Sequence, residues 1–115
     1  MVNSARLEWF DRLPCSVMVC DCDYSVLYMN ERAAEDHADD GGFALVGTDL
    51  MDCHPPDAQA KLREVLASGR PNVYTTQKEG EKKLVYQCQW RKGRRAGGIV
   101  QLVIALPRET NRRAR

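Results

Sequence analysis

Val17-Met18-Val19-Cys20-Asp21-Cys22-Asp23-Tyr24-Ser25-Val26-Leu27-Tyr28-Met29-Asn30 is the stretch on which the fold turns. Residues 15–20 are short, apolar and β-prone, and residues 24–29 form a second run of similar length. Asp21-Cys22-Asp23 between them suits a tight turn, because aspartate side chains bond nearby backbone amides. The stretch therefore predicts a β-hairpin. Asn30 closes it and reads as the cap of a short helix, Glu31-Arg32-Ala33-Ala34-Glu35-Asp36, whose leading acid suits the N-terminal end of the helix dipole.

Upstream, residues 4–13 read as a helix. Ser4 can cap it, Leu7, Phe10 and Leu13 form one apolar stripe, and Pro14 ends it. Downstream, Asp39-Asp40-Gly41-Gly42 breaks the helix that Asn30 opens. Phe43-Ala44-Leu45-Val46-Gly47 is expected to return apolar groups to the core, and Thr48-Asp49-Leu50-Met51 to add a helical turn. Pro55-Pro56 precedes the clearest helix, residues 56–67, with Ala58, Leu62, Val65 and Leu66 on one face and Ser68-Gly69 as its C-terminal cap.

The remainder is β. Strands are expected over residues 72–78, 82–91 and 98–106, separated by turns at Glu79-Gly80 and Lys92-Gly93-Arg94-Arg95. The middle one alternates, with Leu84, Tyr86, Cys88 and Trp90 on one face and Val85, Gln87, Gln89 and Arg91 on the other. The last is the most apolar and so is expected to be central. Strands grouped at both ends with helices between them predict an α+β domain, one antiparallel sheet with helices covering a single face.

In their order and spacing these segments resemble a PAS domain. Residues 17–30 look like its first two strands, and Asn30-Glu31-Arg32-Ala33-Ala34 resembles the Asn-x-x-Ala step that opens its first helix. Leu45-Val46-Gly47-Thr48-Asp49-Leu50 is similar to its hydrophobic-Gly-x-x-Leu segment, and His54-Pro55-Pro56-Asp57 to the His-Pro-x-Asp step before its long helix. The resemblance covers residues 13–107 and departs from the family pattern at Asp39-Asp40-Gly41-Gly42. It implies a five-stranded antiparallel sheet of order 2-1-5-4-3, with helices on one face and an N-terminal amphipathic helix. It also implies a sensory or dimerisation role. The expected organisation is an N-terminal helix at residues 1–14, a PAS-like domain at 15–107 and a basic tail or linker at 108–115.

Composition agrees with one globular domain. The chain has 115 residues, 43% hydrophobic and 29% charged, which argues against a disordered chain, a collagen-like repeat or a long coiled coil. There is no run of 18 apolar residues and no basic segment leading into an apolar core at the start. Five cysteines, an odd number, fit free thiols in a reducing cytoplasm. The net charge of +1 hides an uneven distribution: residues 1–57 hold 3 Lys/Arg against 12 Asp/Glu, and residues 58–115 hold 14 against 4. In the sheet order implied above, the acidic hairpin lies beside basic strands. The asymmetry then reads as complementarity within the domain or between two subunits.

Candidate chemistry is sparse. Cys53 and His54 offer a thiolate and an imidazole, both ligands for zinc or haem iron, but a histidine before proline also suits backbone capping. Cys20-x-Cys22 needs two further ligands for a zinc site, and no Cys-x-x-Cys pair supports one, so no metal is assigned. Tyr86, Cys88 and Trp90 would line a cofactor pocket with Tyr28 or Met29 if their face is concave, and would otherwise be core. The Val85, Gln87, Gln89 face would then meet the N-terminal helix or a second subunit. Leu7, Trp9, Phe10 and Leu13 are the expected contacts of a homodimer or partner signalling domain. No Ser/His/Asp set and no phosphate loop is present, so no enzyme is expected. The basic turn at residues 91–95 and the Arg112-Arg113-Ala114-Arg115 end lack a helix-turn-helix or a stacking platform, so nucleic acid is not the expected partner. The leading expectation is a sensor module that binds a small ligand or cofactor and signals through protein contacts. The alternatives are a haem- or metal-binding redox sensor using Cys53/His54, and a dimerisation module without ligand.

Overall fold

A computed structural model describes residues 4–113. The capping expected of Ser4 and the ends of the 1–14 and 108–115 segments lie outside its described residues and side chains. The chain runs α1 (Ser4–Asp11), β1 (Ser16–Asp21), β2 (Val26–Met29), α2 (Glu31–Asp36), α3 (Pro56–Ser68), β3 (Asn72–Lys78), β4 (Glu81–Lys92) and β5 (Arg95–Leu106). Three 3₁₀ turns, Ala38–Asp40, Gly42–Leu45 and Leu50–Cys53, join α2 to α3. All five strands form one antiparallel sheet in the order β2-β1-β5-β4-β3.

The hairpin turn uses the aspartate chemistry read from the sequence. Asp21 Oδ1 accepts from the backbone N–H of Asp23 and of Ser25. Tyr24 adopts φ 65°, a left-handed conformation uncommon for an aromatic residue and not foreseen from its type. Asn30 caps α2 as expected and does more. Its Oδ1 accepts from Ala33 N at 2.9 Å and from Val17 N at 3.0 Å. Its Nδ2 donates to the carbonyls of Cys15 at 2.8 Å and Phe10 at 3.2 Å. One fully buried carboxamide thus ties α1, β1 and α2 together with its whole bonding capacity used.

The core fills the space between the sheet and α2, α3 and the 3₁₀ turns. It joins Met18, Cys20, Val26, Met29, Ile99, Ala33, Leu45, Leu50, Met51, Leu62 and Val65. Of the Phe43–Gly47 segment only Leu45 enters it; Phe43 and Val46 stay exposed. In a 3₁₀ turn positions i and i+3 eclipse, so Phe43 and Val46 share the side turned away from the core.

The register settles which face of β4 meets the helices, and it reverses the expectation. Gln89 Nε2 donates to the Leu66 carbonyl of α3 at 2.8 Å, and Val85 and Gln87 are buried beside it. The polar face can be buried because its amides bond one another. Asn72 Nδ2 donates to Gln87 Oε1 at 2.9 Å, and Gln87 Nε2 to Gln101 Oε1 at 2.8 Å, across three adjacent strands. Leu84, Tyr86, Cys88 and Trp90 occupy the opposite, outer face, in register with Ile104, Leu102, Val100 and Gly98. Trp90 crosses β5 there and donates to the Cys20 carbonyl at 2.9 Å. Glycine makes that crossing possible: a Cβ on Gly97 would lie 2.3 Å from the indole, and one on Gly98 1.9 Å from the Cys20 oxygen.

The helix α1 stands apart from this layer. Phe10 stacks on Tyr28 of β2 with ring centroids 6.0 Å apart, and the Tyr28 hydroxyl donates to Asp11. Leu7, Phe10 and Leu13 are half-buried, whereas Trp9 is 65% exposed and touches the stripe only through Phe10, with ring centroids 4.8 Å apart. Among the described residues, no helix is long and apolar enough to cross a membrane.

Candidate functional site: a cleft between α3 and the inner sheet face

The 3₁₀ turn Leu50–Cys53 and the His54-Pro55 step that follows place His54 at the start of α3. His54 Nδ1 lies 2.8 Å from the Leu50 carbonyl. A carbonyl only accepts, so Nδ1 carries the proton and Nε2 is the ring's uncommitted nitrogen. Gln59, one turn into α3, donates from Nε2 to the carbonyls of Met51 at 3.0 Å and His54 at 2.9 Å. The loop is therefore locked from both ends. The expectation of backbone capping describes the bonds His54 makes, while the role of Gln59 carried no signal in the sequence.

His54 stands between two spaces of very different size. On the core side, Met18, Val26, His37, Leu45, Thr48, Leu50, Cys53 and His54 surround ≈ 10 Å³, about enough for one water. On the other side a cleft of ≈ 320 Å³ opens between α3 and the inner face of β3 and β4. Its walls are His54, Asp57, Ala58, Lys61, Asn72, Tyr74 and Gln87. A third space of ≈ 560 Å³ lies beside α1, lined by Glu8, Asp11, Arg12, Met29, Asn30, Glu31 and Phe43. The α1 and α3 clefts differ in what they offer. Asn30 has no hydrogen bond left to give, and most of the other groups along α1 are charged side chains. In the α3 cleft Gln87 spends one donor and one acceptor on its neighbours, half of what a carboxamide can make.

The five residues singled out from the sequence do not form one site. His54 lines the α3 cleft, and Cys53 lies on the core side of it. Tyr86, Cys88 and Trp90 lie on the other face of the sheet, because strand alternation puts them opposite Gln87 and Gln89. The pocket residues that sequence reasoning missed are Asn72, Tyr74 and Gln87, passed over because a half-polar strand face reads as surface. Cys53 is exposed as a residue, but partial desolvation of its thiol pushes it above its ordinary range, and the nearby Asp40 and Asp52 carboxylates push the same way. Burial likewise raises Cys88 and Cys20. Each of these thiols is harder to deprotonate than an ordinary cysteine. A haem macrocycle does not fit the ≈ 10 Å³ beside Cys53 and His54. Among the described residues, no three His, Cys, Asp or Glu side chains are grouped to hold a metal ion.

Comparison with known proteins decides the family. The family model of the PAS fold matches residues 10–115. The chain belongs to the PAS fold family. No curated protein matches it in sequence. Solved structures share the fold at low identity. A PAS domain from Colwellia psychrerythraea aligns with a TM-score of 0.65 and 10% identity over 90% of this chain and 95% of its own. A sensory box sensor histidine kinase from Vibrio cholerae aligns at 0.62 and 14% identity, covering 90% and 94%. The VqmA–ligand–DNA complex of Vibrio cholera aligns at 0.71 and 14% identity over 92% of this chain but 52% of that one, so the PAS chain spans about half of it. PAS domains are typically sensory rather than catalytic.

Proposed function

We propose that this PAS domain is a cytoplasmic ligand sensor, not an enzyme, and that its ligand occupies the cleft between α3 and the inner face of β3–β4. The observation that carries the reading is the cleft itself. It has ≈ 320 Å³ of space, within the range of small-molecule pockets, and one buried carboxamide, Gln87, with unused hydrogen-bonding capacity beside the half-buried Asn72. The PAS membership and the likeness to VqmA, solved with a ligand, support it.

In this reading residues 15–107 sense, while residues 1–14 and 108–115 connect the sensor to its output. His54, Asn72 and Gln87 contact the ligand. Tyr86, Cys88 and Trp90 serve the outer face, where with the exposed Trp9 they meet a second copy or a partner signalling domain; of the other partner contacts expected from the sequence, Phe10 docks on Tyr28 of its own sheet and Leu7 and Leu13 are half-buried. Ligand binding shifts the population of that assembly. The test is a fragment library screened by NMR on the labelled chain, with sedimentation velocity run with and without hits. Shifts centred on the cleft together with a changed oligomeric state support the proposal. Shifts confined to the outer face or to the α1 cleft overturn it.

A further inference from the structure

We infer that the α3 cleft selects a small neutral molecule with a flat ring and an amide-like edge, a hydrogen-bond acceptor beside a donor. This rests on the reading of the cleft as the ligand site and adds the chemical class.

The formal charges on the cleft wall are Lys61 and Asp57, one of each sign, both on α3. The strand side is neutral: Asn72 and Gln87 carboxamides and the Tyr74 ring. A ligand carboxylate or ammonium pressed against the strand-side amides would lose its water there, with its opposite charge, Lys61 or Asp57, across the cleft on α3. A neutral polar edge loses less and finds matching groups.

Asn72, Gln87 and Gln101 form a row in which each amide nitrogen donates to the next carbonyl oxygen, from the β3 edge inward. Gln87, only 3% exposed, keeps one N–H and one oxygen lone pair beyond those two bonds. Asn72 is half-buried, and its side chain spends a single N–H on the row. The row thus presents donor and acceptor capacity side by side, which is the complement of another amide edge. The remaining walls suit a ring: Tyr74 supplies a flat aromatic face and Ala58 a small apolar one. The space of ≈ 320 Å³ sits at the small end of ligand pockets, which admits one or two rings.

Three probes of the same size separate the possibilities: benzamide, benzoate and benzamidine, neutral, anionic and cationic. Each is titrated into the full ¹⁵N-labelled chain while the side-chain NH₂ signals of Asn72, Gln87 and Gln101 are followed. Benzamide is expected to move these signals, with benzoate and benzamidine binding about tenfold more weakly or worse, since a site built of polar partners rejects a mismatched analogue. Asn72→Ala and Gln87→Met are each expected to weaken benzamide by about tenfold on the same ground. Should Gln87→Met fail to fold, Asn72→Ala at the half-buried strand edge carries the comparison alone. Benzoate or benzamidine binding as tightly as benzamide at these residues would overturn the neutral class and leave the cleft as the ligand site. No shift in the cleft from any of the three would overturn the class and the cleft together.

Discussion

Asn30 is the residue with most depending on it. Removing its carboxamide strands two backbone N–H groups and two carbonyls, at Val17, Ala33, Phe10 and Cys15. Buried groups left without partners cost about 1–3 kcal/mol each at most sites, and water can reach some of these four. Asn30→Ala is therefore expected to lower stability by about 3 kcal/mol, read as a shift in the urea midpoint. Asn30→Asp keeps the two acceptor roles but turns a buried carboxylate toward the Cys15 and Phe10 carbonyls, so near neutral pH it should destabilise at least as much as alanine. A second prediction concerns alkali. Burial raises the Cys20 thiol above its ordinary pKa of 9.0, and the Asp21 carboxylate adds to that. The folded state then keeps a proton that the unfolded chain releases, so the associated stability is complete below pH 9.0 and drains away as pH climbs above it. Urea midpoints measured at about pH 8 and about pH 10 should diverge, and the gap should narrow in Cys20→Ala. An unchanged gap would assign the loss to other groups, such as the Tyr28 hydroxyl, which burial and Asp11 also raise.

At the scale of elements, α1 divides into a docked side and a free side. Phe10 stacks on Tyr28, so Phe10→Ala should cost about 2–4 kcal/mol for a partly buried ring, or less where the helix simply releases. Trp9→Ser should change monomer stability by less than about 0.5 kcal/mol, because the indole is exposed. If Trp9 belongs to a dimer contact, the same substitution raises the dimer dissociation constant in sedimentation equilibrium. Element identity is readable in the sequence because hydrophobic period, caps and Pro/Gly punctuation all agree: the hairpin, α2, α3 and the three late strands are present in that order, and β5 is central as its apolar run implies, but it begins at Arg95 rather than at Gly98, because Lys92 and Arg95 pair across a two-residue turn. The faces of β4 are not readable. Val85-Gln87-Gln89 looks more polar than Leu84-Tyr86-Cys88-Trp90, and only the partner amides Asn72 and Gln101, distant in sequence, make its burial tolerable. The same blindness hides the cleft, whose Tyr74 and Asn72 belong to a strand that shows no alternation of its own. Gly97-Gly98 lacks a phosphate-loop pattern, and its role lies elsewhere: it lets Trp90 pass. Gly97→Ala should therefore displace the indole and cost about 1–3 kcal/mol, with its fluorescence followed in a Trp9→Phe background.

For the whole molecule, the opposed charges of the two halves are not consumed in ion pairs. The described ion pairs are Arg32–Asp36, Lys61–Glu64 and Lys83–Glu81, each within its own half and none across the divide. Complementarity inside the domain thus works through the general field, and most charge remains in water to meet another molecule. Any self-association should weaken when salt is raised from about 0.05 to about 0.5 M, because exposed charges are screened over that range. Association that strengthens with salt would point to an apolar contact instead. The sheet order also governs how the chain is made. β5 lies between β1 and β4, so the fifth strand, made after the other four, is the one that joins the β1–β2 pair to the β3–β4 pair. Until residues 95–106 leave the ribosome, β1–β2 and β3–β4 are separate ribbons with open edges, and the chain must wait for β5 before either can close.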